Sequence, residues 1–201
     1  MKPRKGFSIF EAVVSAAILA ILGAAILPAV ASYRSQARVN QTATDLLQIG
    51  AAVQKFELTA FVGAYPGALS DLTTEFALTS STSCVSPNRT YTAEGATLAK
   101  WRLGGPYLDK LIPQTGLLLG VGVANNTLER SSANTSVGFL NLRIPGVAYE
   151  DALALNDVMD GQSDLETAGQ LNLKGAIRWF VAPDASDNVS LLFAMPIGNR
   201  C

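Results

Sequence analysis

Apolar residues are distributed unevenly along this chain. From Phe7 to Ala31 they form a nearly unbroken run of 25 residues, carrying one acid, Glu11, and preceded by Lys2, Arg4, Lys5 and Gly6. A helix of that length crosses a bilayer core. After the run the pattern becomes a stripe. Val39, Ala43, Leu46, Ile49, Val53, Phe56 and Ala60 recur at spacings of three and four, while Gln41, Asp45, Gln48, Gln54 and Glu57 hold the other face. Together the two stretches predict one helix from Phe7 to about Phe61, 55 residues and about 80 Å long. Its amphipathic half needs a cover. Gly23 and Pro28 interrupt helical hydrogen bonding in the apolar half and read either as a kink or as tolerated packing residues. Gly63-Ala64-Tyr65-Pro66-Gly67 ends the helix.

The rest of the chain supplies that cover. Ala68 to Leu72 reads as a short turn or helix, and Thr79 to Thr97, rich in Ser, Thr, Asn and Pro, as surface loop. Val137 to Ile144 alternates like a half-buried strand. Gly175–Val181 and Val189–Ala194, joined by Pro183 to Asn188, predict an antiparallel hairpin. Leu117 to Val123 reads as one further strand weakened by its glycines, and Tyr149 to Met159 as a short helix ending at Asp160-Gly161. Trp179 and Phe180 are adjacent on a strand, so they point to opposite faces and at least one belongs to the core. The predicted class is α+β: a long N-terminal helix laid on an antiparallel sheet. Its segments are residues 1–6, an apolar helix 7–33, an amphipathic continuation 34–62 and a globular head 63–201.

Charge and chemistry narrow the function. The full chain has a net charge of −1. Without residues 1–6, twelve of the fifteen basic side chains remain against sixteen acidic ones, a net of −4. Bulk charge therefore gives no expectation of nucleic-acid binding, which needs clustered Lys and Arg on phosphates. The chain has no histidine, so no Ser-His-Asp or Cys-His nucleophile system can be assembled. Gly104-Gly105 and Gly120-Val121-Gly122 do not extend into a phosphate-binding pattern. No cofactor is expected, and no catalysis. The acidic run from Asn156 to Glu166 offers Asp157, Asp160 and Asp164 around a glycine turn, either as oxygen ligands for calcium or as a solvated turn. Lys2, Arg4 and Lys5 before the span orient the N-terminus to the cytoplasm and the head outside it. There Cys84 and Cys201 can persist as a disulfide spanning 117 residues, worth about 4–5 kcal/mol in the chain-entropy model. The other reading of the pair is two unrelated buried thiols.

Glu11 is the most informative residue. An acid near the centre of a membrane helix costs about 2.5–3.5 kcal/mol, less near its end, and it calls for a partner. Lys5-Gly6-Phe7-Ser8-Ile9-Phe10-Glu11 resembles the leader and cleavage site of type IV prepilins and type II secretion pseudopilins. The resemblance implies that a prepilin peptidase cuts after Gly6 and methylates the new terminal Phe7, and that Glu11 is the glutamate kept for assembly. Pro28 falls where many pilins carry a kinking proline. Many pilins also staple their C-terminal region to the head, as a Cys84–Cys201 bridge would, and some pseudopilins bind calcium in a head loop. A second likeness, of Tyr65-Pro66 with Gly105-Pro106-Tyr107-Leu108 to the connecting segment of major pseudopilins, lacks the Asp-Pro-Trp-Gly that usually follows.

The expected function is a structural subunit of a type IV pilus-family filament. Its partners would be copies of itself, other pilin-like subunits, the prepilin peptidase, an inner-membrane assembly platform and, before assembly, the lipid bilayer. The precursor would sit in the bacterial inner membrane, and the filament would be an extracellular pilus or a periplasmic pseudopilus. Freed by cleavage, the Phe7 amine of one subunit would neutralise Glu11 of its neighbour and so favour one axial offset. A pseudopilin role is the near alternative. A soluble domain released by an ordinary signal peptidase after Ala29-Val30-Ala31 is the distant one, but its apolar region exceeds the usual 7–15 residues and contains an acid. A plain membrane anchor would gain nothing from Glu11.

Overall fold

A computed structural model of the chain describes residues 9–59, 65–75, 95–130, 138–161, 165–166 and 171–197. Gly6, Phe7, Ala60, Gly63, Cys84, Asp164 and Cys201 lie outside the described residues. The chain divides into two units, Met1–Ala37 and Arg38–Cys201.

One helix, α1 (Ile9–Thr59), contributes to both units. In the first unit it is apolar from Ala12 to Ala31 apart from Ser15, and the helix runs without a break through Gly23 and Pro28. In the second unit its stripe is buried as the spacing predicts. Val39, Ala43, Leu46, Ile49, Val53 and Phe56 share one core with the sheet. The polar face departs from expectation at Asp45, which is buried. Its carboxylate takes hydrogen bonds from Gln41 Nε2 (3.1 Å) and Lys110 Nζ (2.9 Å), so the charge is compensated where it is desolvated.

After a 3-10 turn (Leu69–Leu72) comes α2 (Gly95–Gly104), where the sequence reading has loop up to Thr97 and assigns no element to Trp101–Gly104. Trp101 Nε1 donates to the Asp71 carbonyl at 2.9 Å, and Tyr107 N–H donates to the Leu72 carbonyl at 2.8 Å. The two halves of the Tyr65-Pro66 and Gly105–Leu108 pattern thus meet through the 3-10 turn. Leu117 to Val123 is a hairpin rather than one strand: β1 (Leu117–Leu119) pairs antiparallel with β2 (Gly122–Ala124). At the tip, Gly120 packs against α1 with no room for a side chain, since a Cβ there would fall 2.4 Å from the Arg38 carbonyl oxygen.

The main sheet has the order β3-β4-β8-β7, all antiparallel, built from β3 (Leu128–Arg130), β4 (Gly138–Ala148), β8 (Asn188–Ile197) and β7 (Ile177–Arg178). A bulge sets Pro145 and Gly146 against Ser190, between the pairs Ile144–Leu191 and Val147–Val189. Between β4 and β7 lie α3 (Tyr149–Asp160) and a two-stranded ladder, β5 (Leu165–Glu166) with β6 (Leu171–Asn172). The expected hairpin is present with its register at Ile177–Phe193 and Arg178–Leu192. Trp179, bridged to Asn172 just past β7, is fully buried and edge-on to Tyr149, while Phe180, in the bend that follows, is exposed. The architecture is α+β.

β7 covers only part of β8. The Ala194 N–H donates to the Ala176 carbonyl at 2.7 Å, so it points away from β4 towards the β7 side. Two residues on, Pro196 presents its nitrogen to the same side and has no hydrogen to give. Among the described residues no strand pairs with this end of the edge, and Pro196 blunts it against strand addition.

Candidate assembly site on the N-terminal helix

Helix α1 brings Glu11, Gly23 and Pro28 onto one element. Glu11 sits in its first described turn, where the aligned peptide dipoles favour an acid, and Ser15 Oγ donates to the Glu11 carbonyl at 2.8 Å. Around Glu11 the surface is hydrocarbon. Ile9, Phe10, Val13, Leu19, Ile21 and Leu27 each have more than half of their surface exposed, and at 100° per residue such side chains point in every direction. The most apolar 18-residue window has a mean hydropathy of 2.5 and is nowhere buried within the chain. By length and composition this helix can cross a membrane. A helix apolar all round is stable only when lipid or other apolar helices enclose it.

Small residues recur on one line of this helix, Ala12, Ala16, Ala20 and Ala24, at the i, i+4 spacing that lets helix backbones approach closely in lipid. In the sequence this line is less conspicuous than the acid and the proline beside it. The alanine period was the available signal.

Of the calcium candidates, Asp157 and Asp160 lie in the last turn of α3. The Asp157 backbone carbonyl accepts the Gly161 N–H, which closes α3 with Gly161 in the left-handed conformation. Both Asp160 carboxylate oxygens are engaged by backbone, accepting from Ala176 N–H at 2.8 Å and Ile177 N–H at 3.0 Å. Gly175 faces them with φ +76°, and a Cβ there would lie 2.4 Å from the carboxylate. Asp160 thus clamps the turn into β7 to the end of α3. Among the described residues no three acidic, His or Cys side chains gather as metal ligands.

Two ionisable groups near the 3-10 turn are shifted. Burial raises the pKa of Asp71, against the lowering effect of the Ala68 and Gly67 N–H groups that bond its carboxylate at 3.0 and 3.1 Å. Hydrogen bonding from Arg102 lowers Glu75. Both belong to the joint that seats α2, and neither lies on the apolar helix.

Residues 1–27 match the family model described as the prokaryotic N-terminal methylation motif. No curated protein and no solved structure matches the chain. The matched stretch contains Gly6, Phe7 and Glu11 and ends within the apolar part of α1. The N-terminal segment of this chain is therefore the prepilin signature shared by type IV pilins and pseudopilins.

Proposed function

We propose that the chain is a structural subunit of a type IV pilus-family filament. It is inserted in the cytoplasmic membrane as a precursor with its head outside the cytoplasm, cleaved after Gly6 and methylated on Phe7. It then polymerises through α1. The observation that carries this reading is one ionisable side chain, Glu11, in a methylation-motif helix whose surface is otherwise hydrocarbon on every side. Such a surface persists only under cover. Lipid supplies it before assembly and neighbouring helices supply it afterwards, so the exchange gains little from hydrophobicity itself. Packing along the alanine line and the pairing of Glu11 with a neighbour's terminal ammonium set the register instead. The role is structural, and no bond-making step is assigned to this chain.

Membership of a secretion pseudopilus is the second reading. It draws on the joint between the Tyr65 and Tyr107 segments, which Trp101 and Tyr107 fasten to the 3-10 turn. Proteomics of sheared surface filaments tests the preferred reading. Recovery of the chain in surface filaments supports it. Recovery only in a periplasmic assembly built with a secretin favours the second reading, and absence from every polymer sinks both.

A further inference from the structure

In the β1–β2 hairpin burial alternates and polarity does not. Leu117, Leu119 and Ala124 are buried, while the cross-strand pair Leu118 and Val123 is 72% and 45% exposed. An antiparallel sheet with one face in water carries polar side chains on that face. Here the eight residues from Leu117 to Ala124 include no polar side chain. The core accounts for the inner face and leaves Leu118 and Val123 unexplained. Exposed apolar side chains set together mark a contact surface.

The place of the hairpin points to its occupant. Its tip is fastened to α1, where Gly120 lies against the Arg38 carbonyl and the Val121 N–H donates to Thr42 Oγ1. Arg38 follows Ala31, the last residue of the apolar run, by seven positions, about 10 Å of helix. The headgroup zone extends about 5–8 Å beyond the hydrocarbon on each side. Between Ala31 and Arg38 stand Tyr33 and Arg34, both exposed, an aromatic and a cation of the kind that settle at the headgroup level. When the run spans a bilayer, a hairpin tip held at Arg38 is therefore held beside lipid.

Resting on the membrane-inserted precursor stage of the filament reading and extending it, we infer that the outward face of the β1–β2 hairpin, Leu118 and Val123, inserts into the bilayer surface next to the emerging helix. The span already tethers the hairpin, so the contact forms at high effective concentration and two side chains suffice. It holds the head on the membrane before assembly and is given up when the subunit leaves the bilayer.

Photocrosslinking to lipid tests it. p-Benzoylphenylalanine replaces Leu118 or Val123 in the full-length precursor, which is reconstituted in vesicles of phosphatidylethanolamine and phosphatidylglycerol, irradiated and analysed by mass spectrometry. Two further positions serve as references. Leu19 lies within the span and reports insertion. Leu103 is the more exposed leucine but belongs to α2, whose next residue, Gly104, sits against Thr59, 21 positions and about 31 Å along α1 from Arg38. The expected result is lipid adducts at 19, 118 and 123 and their loss at 103. Adducts at 19 with none at 118 and 123 overturn the inference and leave the membrane-inserted precursor intact. So do adducts to protein alone at 118 and 123, which assign the face to a second copy or another protein, and equal lipid adducts at 103 and 118. No lipid adduct at 19 overturns both. Both hairpin positions are exposed and each is read separately, so failure of one variant to fold leaves the other to decide.

Discussion

Thr42 and Val121 are 79 residues apart in sequence and joined by one hydrogen bond, in which the Val121 N–H donates to Thr42 Oγ1 at 3.2 Å. The same hydroxyl donates to the Arg38 carbonyl at 2.8 Å. Thr42 is fully buried. One side chain therefore ties the tip of the β1–β2 hairpin to α1 at the point where the helix enters the second unit. Thr42→Val keeps the shape and orphans the Val121 N–H, so it should lower head stability by about 1–3 kcal/mol. Thr42→Ser should retain most of it. Denaturant unfolding of the full chain in detergent, followed by Trp fluorescence, measures both.

Asp160 makes a second such tie, to the Ala176 and Ile177 N–H groups. Asp160→Ala removes acceptors from two backbone N–H groups and should cost about 2–4 kcal/mol, while Asp160→Asn should recover part of the loss. Since both carboxylate oxygens already bond backbone, thermal unfolding of the head should be the same with millimolar calcium and with chelator. A midpoint raised by calcium would instead support Asp157 and Asp164 as oxygen ligands.

The 3-10 joint gives the head a pH signature. Burial holds the folded pKa of Asp71 above its unfolded value. The folded state therefore binds that proton more tightly, and this group's contribution improves as pH falls and is lost as pH rises through the folded pKa. Glu75 has the opposite sign: its depressed pKa contributes above the unfolded value and is lost on acidification. Exposure and salt screening make that second term small. Between pH 7 and 4, wild type should gain stability relative to Asp71→Asn and lose it slightly relative to Glu75→Gln. Parallel urea titrations across that range decide the signs.

Glu11→Ala should leave cleavage and membrane insertion intact while reducing filament yield by roughly tenfold or more, because the neighbour's ammonium is then left unpaired in hydrocarbon. Quantitative blots of membrane and filament fractions measure this. Unchanged yield would remove the charge pair from the mechanism.

Much of this was legible in the residues. The stripe from Val39 to Phe56 and the strand pair at Ile177 and Phe193 follow from period, which burial enforces. What escaped depended on contacts distant in sequence. Leu117 to Val123 carries the apolar content of one strand, and the close approach of the Arg38 carbonyl that demands glycine at position 120 comes from a residue 82 positions earlier. Helix α2 has weak amphipathic patterning between glycines and is held by the Trp101 bond to Asp71. Asp45 looked like a solvated acid because Lys110, its partner, lies 65 residues away. In the assembly helix, Glu11 was conspicuous as the single acid in a hydrocarbon run.

The most direct measurement is the N-terminal residue of the protein recovered from the filament fraction of cells, read by mass spectrometry. Processing at the methylation motif gives a chain that starts at N-methylated Phe7. A filament chain that still carries Met1 to Gly6, or one that starts at Ser32, contradicts the account.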